Sequence, residues 1–406
     1  MFVIYYRYMK NDSQLFPKGF LWGAATSSHQ IEGGLTNDWT EWEKSPARMA
    51  QLEASGHDPR EYQSGLASNS WDHFEADISC LKQIKASAYR FSIEWSRVEP
   101  EEGKFDEEAI AKYRHFIQRL KEEGIEPFVT LWHWPVPLWI HDLGKWTNSK
   151  TIFYFERYAK KLVQAFPEAT FWLTLNEPNI YTGNSYIKGK WPPQKKNIFL
   201  YLKVLKTLTR AHIVAYQIIK KYKPEAQVGV VTNNMDFQGE GFFDNLIARG
   251  ACWWWNRWFL NCIKNYQDII GVNYYFRNIF KNGIRKNPNE KMSDMGWELY
   301  PWGIEAVLLE LQQYNKPIYI TECGLADEHD TYRAWYIQEV LGSVNRAIEK
   351  GVDVRAFFYW SLIDNFEWSD GFMPKFGLFS VNRNTWERTA RPSAAVYAEI
   401  VNKNRQ

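Results

Sequence analysis

Charge of one sign is not in excess: 49 Lys and Arg stand against 47 Asp and Glu over 406 residues, a formal net charge of +2. No global field draws the chain toward nucleic acid or an anionic membrane, so a charge-driven binder is disfavoured. Apolar runs are short as well, none reaching the ~18 residues of a membrane-spanning helix. The opening, Met1 to Lys10, is apolar but shorter than the apolar part of a signal peptide, and no small-residue cleavage site follows, so export by that route is not expected. Cysteine is scarce. Cys80, Cys252, Cys262 and Cys323 are widely spaced with no Cys-x-x-Cys pair, which supports neither a zinc knuckle nor a disulfide framework, and a reducing cytoplasm is the expected setting. No Pro/Gly/Ser-rich linker or low-complexity tract interrupts the chain. Residues 1–406 therefore read as one domain, with 1–15 as a flexible N-terminal extension.

Aromatic residues are plentiful, at 17% of the chain, and flat amphipathic rings serve both cores and ligands with apolar faces and polar edges. The pattern along the chain is β-rich runs separated by amphipathic stretches. Candidate strands are Leu21 to Ser27, Ala88 to Trp95, Pro127 to Trp134, Thr170 to Leu175, Val228 to Asn233, Ile269 to Tyr275, Pro317 to Thr321 and Val354 to Trp360. Between the second and third, Asp106 can cap a helix to Glu123 whose Ile110, Tyr113, Ile117 and Leu120 share a face, with Gly124 as its stop. Another helix over Ile152 to Phe166 ends before Pro167. Apolar strands joined by helical crossovers imply a parallel sheet, and eight such units imply an α/β fold of the closed (β/α)8 TIM barrel type, with a doubly wound open sheet as the alternative.

Such barrels carry their chemistry at the C-terminal strand ends. Those ends hold Gln30, Arg90, His133, Asn176, Glu177, Asn273, Tyr275, Glu322, Trp360 and Glu367. Glu177 closes Thr-Leu-Asn-Glu-Pro and Glu322 closes Tyr-Ile-Thr-Glu, each directly after an apolar strand. Two carboxylates converging on a barrel mouth point to acid/base or nucleophilic work; position alone leaves open that each is a solvated or Arg-paired loop residue.

The segments Thr174 to Pro178 and Ile320 to Gly324 resemble the acid/base and nucleophile motifs of glycoside hydrolase family 1. Phe16 to Thr26, Gln30 to Gly33, Tyr89 to Arg97, Trp132 to Trp134, Gly271 to Tyr275 and Tyr359 to Trp368 are similar to the family's other motifs, in the same order. The resemblance implies a retaining exo-β-glycosidase acting on terminal β-D-glucosides, galactosides or related β-glycosides through a covalent glycosyl-enzyme. It makes Glu322 the nucleophile and Glu177 the acid and then the base, with Arg90 and Tyr275 as partners of Glu322 and Asn176 on the sugar 2-hydroxyl. It also implies a substrate pocket of Gln30, His133, Trp134, Asn273, Trp360, Glu367, Trp368 and Phe376, with Trp297 as an aglycone platform. His133 alone would read as packed core, and Trp297 alone as loop packing. The implied partner is a small β-glycoside or short oligosaccharide, with no nucleic acid, no membrane, no metal and no cofactor. Rival readings are a transglycosidase and a catalytically weak carbohydrate-binding relative.

The family's phospho-glycosidase branch carries Ser at the Glu367 position and Lys and Tyr at those of Pro374 and Phe376, so a substrate without phosphate is expected. Departures from the family pattern are Cys323, where Asn is usual, Pro135, where Asp is common, and a short stretch between the fifth and sixth strands. Cys323 reads as a structural thiol rather than a reactive one. Trp253, Trp254 and Trp255 read as a hydrophobic anchor in preference to a sugar platform.

Overall fold

The computed structural model describes residues 16–404; the extension read over 1–15 lies outside them. Eight parallel strands close into a barrel in sequence order: β1 (Leu21–Ala25), β2 (Ala88–Ser92), β3 (Glu126–Trp132), β4 (Phe171–Asn176), β5 (Gln227–Asn233), β6 (Ile269–Tyr274), β7 (Ile318–Gly324) and β8 (Val354–Trp360). Closure is made by β1 against β8, with Leu21 beside Ala356 and Ala25 beside Trp360. The open-sheet alternative is thereby excluded.

The strands differ from the sequence expectation mainly at their mouths. The first two stop at Ala25 and Ser92 because the chain turns at once into the short helices Ser28–Ile31 and Trp95–Val98. The third ends at Trp132, so His133 and Trp134 leave the ladder, Trp134 with φ of 90°. The seventh runs on through Glu322 to Gly324, with a register shift against β6 between Ile320 and Glu322. Alternating apolar residues do not mark where a ladder stops, whereas these polar mouths answer to side-chain partners. Helix Glu107–Glu122 forms as expected: the Asp106 carboxylate accepts from the Ala109 N–H at 2.9 Å, and Gly124 takes φ of 70° past its end.

The barrel is filled. Ala25, Ala88 and Ala356 leave room for Phe128, Leu173, Tyr319 and Phe358, and the Phe128 and Phe171 rings stack at 4.1 Å. This plug of alternating small and large side chains seals the lower barrel and leaves the polar groups at its upper end. A larger apolar layer joins the strands to the surrounding helices. Beyond β5 and β6, Asp236–Gly239 pairs with Arg277–Lys281 to build a small sheet on the rim.

Candidate active site

Glu177 leaves β4 in the left-handed region, with φ of 43° and ψ of 59°. Pro178, at the first position of the helix Pro178–Thr182, disfavours the right-handed region for the residue before it. The unusual backbone is secured on both sides: the Glu177 N–H donates to the Val231 carbonyl at 2.9 Å and its carbonyl accepts from Tyr181 at 3.1 Å. The carboxylate, buried at 4% exposure, accepts from Asn233 Nδ2 at 2.9 Å and Asn273 Nδ2 at 2.8 Å. Burial pushes the Glu177 carboxyl up to about 8, with repulsion from Glu322 the next cause and the two Asn donors opposing it.

Glu322 stands in different company. Its Oε1 is paired with Arg90 Nη1 and its Oε2 accepts from Tyr275 Oη at 2.7 Å. Burial raises this carboxyl too, but Arg90 and Tyr275 pull it back, with a smaller pull in the same direction from the Asn273 amide. Two glutamates within reach of one Asn273 amide thus differ by an arginine, so Glu322 is the one that ionises first. Burial and mutual repulsion act on both carboxyls, so the labour is divided by Arg90 and Tyr275, the partners that Glu322 alone has.

Asn176 locks the next layer. Its Oδ1 accepts from Arg90 Nη2 at 2.7 Å, so its Nδ2 is the end that meets His133 Nε2 at 3.0 Å. His133 Nε2 must then accept, and the proton sits on Nδ1. Burial holds this imidazole well below the ordinary histidine value, hence neutral. His133 Nδ1 is buried and has no hydrogen-bond partner among the described residues, a donor aimed at no protein group.

Gln30 and Glu367 close the far wall. Gln30 accepts from Ser27 Oγ at 2.7 Å and donates to the Phe366 carbonyl at 2.8 Å and to Glu367 Oε2 at 3.2 Å. Burial, then Asp370 and Glu322, push the Glu367 carboxyl well up. Trp360 and Trp368 each lie nearly parallel to His133 at 6.0 Å. Trp134 packs on Trp368 at 4.5 Å, but its indole N–H donates to the Asn176 carbonyl at 3.0 Å. The ring of Trp134 therefore offers surface rather than a free donor. Tyr275, Trp297 and Phe376 form an aromatic group on the Glu322 side, with Trp297 at 5.7 Å from Tyr275 and 6.3 Å from Phe376. All fourteen site residues expected from the sequence thus fall in one connected constellation.

Three partners escape the sequence reading. Asn233 binds Glu177, Thr321 Oγ1 donates to Asn273 Oδ1 at 2.7 Å, and Thr130 accepts from Arg90 Nε at 3.2 Å. The polar run Thr232-Asn233-Asn234 at the end of the fifth strand is the signal that could have disclosed the first. Cys323 is fully buried with Sγ 3.8 Å from Tyr336 Oη, and burial pushes its thiol up to about 12, as a packed thiol requires. Trp254 donates to Tyr201 at 3.0 Å and packs on Trp258, an anchor as expected. Lys375 Nζ is held by the Phe372 carbonyl at 2.6 Å.

Comparison with known proteins agrees with this geometry. The model of glycosyl hydrolase family 1 matches residues 12–263 and 256–406. The chain is 30% identical to beta-glucosidase A of Thermotoga maritima, over 96% of this chain and 98% of that one. It is 28% identical to a beta-galactosidase of Pyrococcus woesei, over 96% and 98%. Among solved structures, a beta-glycosidase from Pyrococcus horikoshii superposes with a TM-score of 0.87 at 37% identity, covering 96% of this chain and 95% of that one. The Thermotoga maritima beta-glucosidase in complex with deoxynojirimycin gives 0.85 at 28% identity, over 97% and 100%. The chain belongs to glycosyl hydrolase family 1, and it is a β-glycosidase.

Proposed function

We propose that this β-glycosidase is a retaining, exo-acting enzyme that removes a terminal unphosphorylated β-D-glucosyl or galactosyl group by double displacement, within a single catalytic domain. The observation that carries the reading is the asymmetry between two neighbouring glutamates: Arg90 and Tyr275 serve Glu322 alone, while Glu177 is held by the neutral amides of Asn233 and Asn273. Repulsion from Glu322, the second cause that raises the Glu177 carboxyl, fits the short carboxyl spacing of retaining enzymes, about 5 to 5.5 Å, better than the wider gap that inversion needs for a water.

In the first step ionised Glu322 attacks the anomeric carbon while protonated Glu177 gives its proton to the departing glycosidic oxygen. The C–O bond to the aglycone breaks as the ester to Glu322 forms. That ester carries no charge, so the repulsion holding the proton on Glu177 is gone. Ionised Glu177 then takes a proton from water, whose oxygen displaces Glu322 and restores the β configuration. The remaining hydrogen of Asn176 Nδ2 is available to the 2-hydroxyl, and His133 Nδ1–H, Gln30 and Glu367 to the outer hydroxyls. Trp360 gives the apolar face of the ring a floor. The wall of Gln30, Glu367 and Trp368 fits a single terminal sugar, and Lys375, engaged by the Phe372 carbonyl, is not offered to a phosphate.

The test is a 2-deoxy-2-fluoro-β-glucoside with an activated leaving group, followed by mass spectrometry of the digested protein and NMR of the first-formed sugar from a normal substrate. The expected result is a glycosyl label on Glu322 and a β-configured first product, with turnover reduced by several orders of magnitude in Glu322→Ala. An α-configured first product, or a label elsewhere, would overturn the reading.

A further inference from the structure

Net charge conceals how unevenly the charges lie. From residue 178 to residue 224 the chain has ten Lys and Arg and not one Asp or Glu. The upper part of that segment, leaving the mouth of β4, carries Lys188, Lys190, Lys195 and Lys196, all exposed and none in an ion pair among the described residues. Partial burial of the ammonium, and after it repulsion from nearby Lys190 and Arg285, hold Lys188 below the ordinary lysine value. Unpaired cations kept together on a surface are stabilised by an anion from outside.

Next to Lys188, reached through the neighbouring Arg285, lies a helix built inside out. Phe242–Cys252 turns Asp244 and Ala248 inward, while Phe242, Phe243, Leu246 and Ile247 face outward, with Phe242 at 74% and Phe243 at 78% exposure. At about 100° per residue these four fall on one stripe, and Trp253, half exposed just past the helix, continues it. The buried Asp244 carboxylate accepts from the N–H groups of Asn282 and Gly283, which sets the exposed Ile284 and Arg285 next to the helix. At the other end, the Trp254 bond to Tyr201 brings in the start of helix Ile198–Tyr222, where Phe199 is 79% exposed. An apolar stripe that faces water and is not matched by an inner apolar face requires a covering.

We propose that this face, formed by the segments leaving β4, β5 and β6, docks peripherally on an anionic lipid surface. Exposed Phe, Leu, Ile and Trp enter the interfacial layer, and the lysines and Arg249 and Arg285 around them meet the headgroups. Of the acids of the region, Asp244 is buried and Glu240 is paired with Lys281 at 2.7 Å, while exposed Asp370 shares a recess with Arg48, Lys188 and Lys190, where the cations outnumber it. A second copy of the chain is a poorer occupant, because a two-fold contact sets the same unpaired cations against each other. The docking needs neither a spanning helix nor a net charge, the two features by which the sequence argues against a membrane.

The experiment is flotation of the full chain with vesicles of phosphatidylcholine alone and of phosphatidylcholine with one third phosphatidylglycerol, at low and high salt. Two variants accompany the wild type, Phe242→Ser with Phe243→Ser and Lys195→Glu with Lys196→Glu, each also assayed on a soluble aryl β-glycoside and sized by light scattering. The expected result is binding to the anionic vesicles at low salt, weakened about tenfold or more by either pair of substitutions, with hydrolysis unchanged. Failure to float with anionic vesicles overturns the docking and leaves hydrolysis untouched. So does a wild-type dimer that the Phe pair dissociates without any vesicle binding, or vesicle binding that neither pair of substitutions weakens.

Discussion

Asn273 donates to Glu177 Oε1 at 2.8 Å because Thr321, one residue before the other glutamate, donates to Asn273 Oδ1 at 2.7 Å and so fixes which end of the amide is the donor. The hydroxyl of β7 thereby sets the orientation of a group on β6 that serves the carboxylate at the end of β4.

From this chain of bonds, Asn273→Ala is expected to lower kcat by about ten- to a hundredfold, the worth of a hydrogen bond to a charged group. Thr321→Val keeps the shape but frees the amide to turn, and is expected to give a smaller loss of about three- to tenfold in kcat with KM little changed. Steady-state kinetics on an aryl β-glucoside decides it. Wild-type kcat in Thr321→Val would show that the orientation of Asn273 does not depend on the hydroxyl.

Asn233 should be visible in the pH profile. The acid in the first step is protonated Glu177, pushed up to about 8, so kcat/KM is expected to hold through neutral pH and fall above about pH 8. The Asn233 amide favours the ionised form and therefore lowers this value. Removing it in Asn233→Ala moves the alkaline limb upward by about one pH unit. A limb that stays in place, or moves down, would remove Asn233 from the proton's control.

The two glutamates and their barrel were legible because each stands next to a strand whose apolar run is long and unbroken, and because their surrounding motifs are contiguous. Asn233 and Thr321 were not, since what they do depends on neighbours across the ladder: Asn233 pairs with Asn273, and Glu322 with Asn273, through registers that no single strand specifies. His133 could be named from its motif, yet its proton could be placed only after Arg90 was seen to claim Asn176 Oδ1. The outward stripe of Phe242 to Trp253 escaped for a related reason, because a helical period tells which residues share a face and not which way that face turns.

Cys323 separates a packing role from a chemical one. A thiol pushed up to about 12 and fully buried carries no thiolate at neutral pH. Iodoacetamide is expected to leave the native enzyme active, and Cys323→Ala to retain turnover within about tenfold while losing stability on the order of 1 kcal/mol or more from the void. Rapid inactivation by iodoacetamide, protected by a competing sugar, would give Cys323 a chemical part instead.

Holding Glu177 uncharged should be visible as a stability cost. Its carboxyl is raised from 4.5 to about 8, so below pH 4.5 folded and unfolded chains bind this proton alike. Between those values the unfolded chain has released it and the folded one has not, so stability falls as pH rises and levels off above about 8. Glu177→Gln keeps the shape and removes the titration. Its melting temperature should therefore approach the wild-type value near pH 4.5 apart from a constant offset, climb above it with rising pH, and hold a fixed lead beyond pH 8, the gain being on the order of a few kcal/mol. Differential scanning calorimetry of both proteins across that range is the measurement. A difference in melting temperature that does not change between acid and alkaline pH would mean that Glu177 ionises in the folded protein as readily as in the unfolded one, and the proton it is assigned in the first step would not be there to give.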